Sequence, residues 1–132
     1  MGQLDNLGIS LQSRFERTGD LADIENAISN LQRAVEFTPP DYAGLPSYLS
    51  NLGNSLRLRF GETGDLADIE SAISNQQRAV ELTPSGQADL PACLSNLGLA
   101  FCYRFRRSGD LTDIESAISN QQRVVELTPP SC

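Results

Sequence analysis

The sequence predicts an all-α chain: three tandem helix-turn-helix units, six helices, in a single domain. Three observations carry this: a 45-residue internal repeat, apolar residues at helical spacing in both halves of each unit, and start and stop signals between the halves. Thr18-Gly19-Asp20-Leu21, Thr63-Gly64-Asp65-Leu66 and Ser108-Gly109-Asp110-Leu111 mark the period. Self-similarity of this length is the signature of stacked supersecondary units. GDLADIESAISNQQRAVELTP from Gly64 and GDLTDIESAISNQQRVVELTP from Gly109 differ only at Ala67/Thr112 and Ala79/Val124. The units run over about 1–44, 45–89 and 90–132.

The second helix of the middle unit is expected from about Asp65 to Leu82, with Leu66, Ile69, Ile73 and Val80 on one side at steps of three, four and seven. Ala72 and Ala79 form a small-residue seam beside that stripe. Gly64 ends the preceding helix, Asp65 caps the new one, and Asp68 adds negative charge near its positive end. Thr83-Pro84 stops it, because the residue before proline is driven out of the helical region.

The first helix of that unit is expected from about Ser47 to Phe60, on Leu49, Leu52, Leu56 and Phe60. Its partners use Leu4, Leu7, Leu11 and Phe15, and Leu94, Leu97, Phe101 and Phe105. Gly8, Gly53 and Gly98 lie inside these helices, where glycine costs about 1 kcal/mol against alanine. Close approach of the neighbouring helix is the expected reason.

Composition removes much chemistry. The chain has 132 residues and a formal net charge of −7; its ten basic residues are all arginine, and it has neither lysine nor histidine. That excludes imidazole general bases, Ser-His and Cys-His pairs, lysine Schiff bases and the P-loop lysine. An acidic chain without a basic tract also lacks the footprint for nucleic acid or anionic lipid. No window approaches the roughly 18 apolar residues of a membrane span, and MGQLDNLG does not resemble a signal peptide. The expectation is a soluble, cytoplasmic, non-enzymatic chain without cofactor or metal. Cys93 and Cys102, nine apart on one helix, face nearly opposite ways and cannot pair, which leaves them as apolar fillers. Cys132 is the thiol open to intermolecular oxidation.

The pattern Leu49-x-x-Leu52-Gly53-x-x-Leu56 followed by Ala72, Ala79 and Pro84 resembles the tetratricopeptide repeat family. Leu4-x-x-Leu7-Gly8-x-x-Leu11 with Ala27, Ala34 and Pro39 matches equally. The third unit matches through Leu94, Leu97, Gly98, Phe101, Ala117 and Pro129, with Val124 in place of the second alanine. The family's period is about 34 residues, so both helices here are longer by about a turn, and the long form is similar to fungal repeat arrays and to kinesin light chain repeats. The resemblance implies a right-handed α-α superhelix whose first helices line a concave groove that binds a peptide or protein segment.

With Leu49, Leu52 and Leu56 facing the core, the groove side falls to Ser50, Asn51, Asn54, Arg57 and Leu58. The 45-residue period gives Asp5, Asn6, Ile9, Gln12 and Ser13 in the first unit, and Ser95, Asn96, Leu99, Cys102 and Tyr103 in the third. The column Asn6, Asn51, Asn96 suits the backbone of an extended peptide, since an amide both donates and accepts; the same residues serve equally as bonds between neighbours. Candidate peptide-binding residues are therefore Asn6, Asn51, Asn54, Asn96, Arg57, Leu99 and Tyr103. The column Arg14, Arg59, Arg104 reads as partners of nearby acids and the helix dipole, and Arg33, Arg78 and Arg123 as partners of Glu36, Glu81 and Glu126. A competing reading is a self-assembling scaffold. The last helix keeps the apolar pattern of the interior ones, so Ile114, Ile118 and Val125 would form a partly exposed face, covered either by further units of a longer array or by a second copy, end to end or by exchange of a helix pair.

Overall fold

A computed structural model describes residues 2–84 and 86–127, with side chains from residue 6 onward. Leu4, Asp5, Pro129 and Cys132 therefore lie outside what is described of side chains, as does the segment 128–132 as a whole. The described residues form six helices and no strand: α1 (Gly2–Thr18), α2 (Leu21–Glu36), α3 (Leu45–Thr63), α4 (Leu66–Leu82), α5 (Leu90–Ser108) and α6 (Leu111–Leu127). Each helix packs on its neighbours in sequence, while α3 also touches α1 and α5 also touches α3. This is an all-α helical repeat in which each unit is seated on the one before.

The helix boundaries follow from local chemistry. Gly19, Gly64 and Gly109 sit at φ of 72°, 73° and 72°, the left-handed conformation that ends a helix. The Gly64 amide donates to the Phe60 carbonyl at 2.7 Å, and one residue later Asp65 Oδ1 accepts from the Ala67 amide at 3.1 Å to open α4. Thr63 Oγ1 joins the two helices, donating to the Arg59 carbonyl at 3.0 Å and accepting from the Asp65 amide at 3.2 Å. Thr83 caps the C-terminal end of α4, its hydroxyl donating to the Ala79 carbonyl at 2.7 Å.

The first helices are longer than the sequence pattern suggests. α3 begins at Leu45 and runs to Thr63, outside the expected 47–60 at both ends. Pro46 and Pro91 lie in the first turns of α3 and α5, where the missing amide is no loss because a first-turn N–H has no intrahelical acceptor.

The core has two parts. The larger runs from Phe15, Ile24, Ile28 and Leu31 through Leu52, Leu56, Phe60, Ile69 and Ile73 to Leu97, Phe101 and Ala117. The smaller, at the opposite ends of the helices, joins Leu45, Leu49, Ala79 and Cys93, with Val35 and Val80 packed against it. Leu66, which the periodicity places in the apolar stripe, is 42% exposed, as are its counterparts Leu21 at 41% and Leu111 at 66%. It is the first residue of α4, next to the Asp65 cap, and belongs to neither part of the core.

Candidate interaction surfaces

Every unit is locked by one ion pair between its two helices. Asp68, in the first turn of α4, is buried, and Arg59 of α3 holds it with two bonds, Nε to Oδ2 and Nη2 to Oδ1, both 2.8 Å. Arg14 holds Asp23 at 2.9 and 2.6 Å, and Arg104 holds Asp113 with Nη2 to Oδ1 at 2.8 Å. The hydrogen bond from Arg14 keeps the Asp23 carboxyl below its ordinary range. Reciprocally, hydrogen bonding to Asp68 and Asp113 raises the Arg59 and Arg104 guanidiniums. Both partners are consumed in holding helix to helix, which leaves the Arg14, Arg59, Arg104 column a structural one. The expected pairs Arg33–Glu36, Arg78–Glu81 and Arg123–Glu126 are absent: the ion pairs among the described residues are these three Arg–Asp locks.

The first-helix face divides the candidate residues between packing and exposure. Asn96 Nδ2 donates to Ser50 Oγ at 2.9 Å, and Ser55 Oγ donates to Gln12 Oε1 at 2.7 Å. These bonds join the first helices of successive units. Asn54 Oδ1 accepts from Gln76 Nε2 at 2.9 Å, tying α3 to α4. Asn6 is exposed, Asn51 is half-buried and engaged with the protein, and Leu99 is 38% exposed. At Asn54 and Asn96, then, the amides knit the repeat together.

Arg57 and Tyr103 come together across the α3–α5 junction, the guanidinium carbon 5.1 Å from the ring centroid. Arg106, one turn beyond Tyr103 on α5, lies 5.4 Å from the same centroid. An aromatic ring with two guanidiniums within about 6 Å is a cation–π arrangement. The buried Arg57 Nε has no hydrogen-bond acceptor among the described residues. Arg106 escaped the sequence reading, although its i+3 spacing from Tyr103 was signal enough.

The α6 residues separate by register. Ile114 is half-buried and packs on the main core, while Ile118 and Val125 are 52% and 69% exposed. Cys93 is buried, with its sulfur 3.9 Å from Thr83 Oγ1, and burial pushes its thiol pKa up. It borders a cleft of ≈ 510 Å³ between the two inter-unit loops, with Tyr42 and Pro84 on its walls, a feature with no signal in the sequence pattern. Among the described residues no group of acids and cysteines is placed to hold a metal ion, and no helix is long and apolar enough to cross a membrane. No family model matches the sequence, and no curated protein does.

Proposed function

We propose that the chain is a non-enzymatic protein-interaction module of the tetratricopeptide kind, binding a peptide or protein segment on the face formed by α1, α3 and α5. The reading rests on the Arg57–Tyr103–Arg106 cluster and on Leu99, four positions before Tyr103 on α5. Arg14, Arg59 and Arg104 are neutralised by buried aspartates, whereas Arg57 and Arg106 form no ion pair among the described residues and both lie against the Tyr103 ring. Two uncompensated guanidiniums around an aromatic ring suit a ligand carboxylate, since charge-assisted bonds to arginine are strong and geometrically specific. Exposed Leu99 adds an apolar contact, which points to a segment with an acidic residue next to an apolar one.

Selection from a displayed random-peptide library tests this. The expected peptides carry that acidic–apolar pair, and Arg57→Gln with Tyr103→Ala weakens their binding by roughly tenfold or more, with helicity unchanged. Equal binding to wild type and variant sinks the reading. Asn51→Ala with Asn96→Ala is a poorer test, because the Asn96 amide also holds Ser50.

A further inference from the structure

α6 is nearly a copy of α4, since Leu111–Leu127 differs from Leu66–Leu82 only at Thr112 and Val124. Their surroundings differ far more. Ile28 of α2 and Ile73 of α4 are 3% and 4% exposed, whereas Ile118, at the same register of α6, is 52% exposed. Val35 and Val80 are partly buried, while Val125 is 69% exposed. The cause is visible in the order of packing: α3 is seated on α2, α5 on α4, and among the described residues no helix is seated on α6. The result is a shallow apolar cleft of ≈ 700 Å³ walled by Ile114, Ala117, Ile118 and Val125.

The seated helices carry the complementary half of this junction. Leu52 of α3 and Leu97 of α5 are 4% and 6% exposed, but Leu7, at the same register of α1, is 49% exposed. Ser55 and Ala100 are fully buried, and their counterpart Ser10 is exposed. One chain thus bears a third copy of the receiving surface on α6 and a third copy of the entering surface on α1, both open. The chain already joins such surfaces twice, between α2 and α3 and between α4 and α5. α1 and α6 make no contact with each other.

The geometry points to a second copy of this chain as the occupant of the α6 face, entering through α1, head to tail, in the register of the internal junctions. The two surfaces differ, so the contact is heterologous, and every copy that docks presents a fresh α6. Growth is therefore stepwise instead of stopping at a closed two-fold dimer. Each copy carries −7, and the repulsion between copies is screened by salt, so association strengthens as ionic strength rises. The assembly needs none of the residues assigned to the ligand, and the two ideas fail independently.

Sedimentation velocity with reductant present, over a concentration series at low and high salt, reads this directly. The weight-average mass is expected to climb with concentration and with salt, passing twice the monomer mass. Ile118→Glu blocks the receiving half and Leu7→Glu the entering half, each weakening association by roughly tenfold or more. Both positions are about half exposed, and circular dichroism checks that helicity is kept; Val125→Glu is a second charge on the α6 face. Mixed one to one, Ile118→Glu and Leu7→Glu give a species of two chains and nothing larger, because each supplies the half the other lacks. A monomer at every concentration overturns the proposal, leaving the face to some other helix. So does a Leu7→Glu variant that pairs as wild type, which would set α6 against α6, or a mixture of the two variants that stays monomeric.

Discussion

Gln76 lies directly across Gly53: a β-carbon at position 53 would stand 2.4 Å from the Gln76 γ-carbon and 2.7 Å from its δ-carbon. The second helix of the unit reaches the first only because that position has no side chain. In the first unit Leu31 takes the place of Gln76, 2.7 Å from a β-carbon at Gly8, and in the third Gln121 lies 3.4 Å from one at Gly98. One repeated glycine thus answers three different degrees of crowding.

The same substitution should therefore change sign along the chain. Gly53→Ala forces a buried side chain to move, and overpacking of this kind costs about 1–3 kcal/mol, against a gain of about 1 kcal/mol in helix propensity. At Gly98 the contact is close to ordinary van der Waals distance, so Gly98→Ala keeps most of the propensity gain. Urea titrations should show the midpoint falling for Gly53→Ala and rising for Gly98→Ala. A fall of equal size in both would place the requirement for glycine in the backbone.

Gln76 is 1% exposed, and its Oε1 has no hydrogen-bond partner among the described residues. A buried unsatisfied acceptor costs about 1–3 kcal/mol. Leucine occupies the same register in the first unit, where Leu31 is fully buried over its own glycine. Gln76→Leu should therefore stabilise the fold by about 1 kcal/mol. The Asn54 amide it abandons is only half-buried, and water can replace the lost bond. Thermal unfolding at constant protein concentration measures the change; a lower midpoint would mean that the Asn54–Gln76 bond outweighs the unsatisfied oxygen.

These two residues also show where the sequence was readable. Gly53 was legible because an interior glycine has a known cost that only close packing offsets, and the caps at Gly64 and Asp65 were legible because their signals are local. Gln76 was not, since a polar residue at helical spacing reads as solvent-facing until the helix laid against it is known. Leu66 misled for the converse reason: periodicity assigns it a side but cannot see that the packed core stops short of the first residue of α4. Asn54 and Asn96 were selected for their chemistry, and the structure finds that chemistry turned inward, toward Gln76 and Ser50. On α6 the expected exposed set of Ile114, Ile118 and Val125 divides: Ile118 and Val125 are exposed, whereas Ile114 packs on the main core, because its register turns it toward α5 and not away from it.

The three Arg–Asp locks should differ in worth, in the order of their exposure. The Arg59 side chain is 28% exposed and that of Arg14 63%. Arg59→Met leaves the buried Asp68 carboxylate without its two charge-assisted bonds, and a loss of about 1–3 kcal/mol is expected after allowance for partial screening. Arg14→Met should cost less, because water reaches that pair. Chemical denaturation of the two variants ranks them, and the reverse order would show that Asp23 depends on its arginine more than burial indicates.

Acidification provides an independent check on the first lock. Asp23 has its pKa lowered, chiefly by the hydrogen bond from Arg14, so the folded state binds this proton more weakly than the unfolded chain does. Its contribution is fully present above the unfolded value of about 3.9 and fades as pH falls through the lower folded value. In wild type the unfolding midpoint should drop through that window, and Asp23→Asn should show a shallower drop. Parallel curves would mean that other carboxylates carry the acid response.

The three turn glycines should behave alike, in contrast to the three packed ones. Nothing lies within 4 Å of a β-carbon built on Gly19, Gly64 or Gly109, and all three sit near φ +72°. Substitution there meets no neighbour, so its cost is backbone conformation alone, about 1–2 kcal/mol for a residue held in the left-handed region. Gly64→Ala should lower stability by that amount, and Gly64→Asn by less, because asparagine tolerates this conformation. Hydrogen exchange at the Asp65 and Ala67 amides distinguishes a strained but intact cap from one that has opened. Retained protection in Gly64→Asn alongside lost protection in Gly64→Ala would assign the cost to the turn, whereas equal loss in both would mean that this turn tolerates no side chain at all.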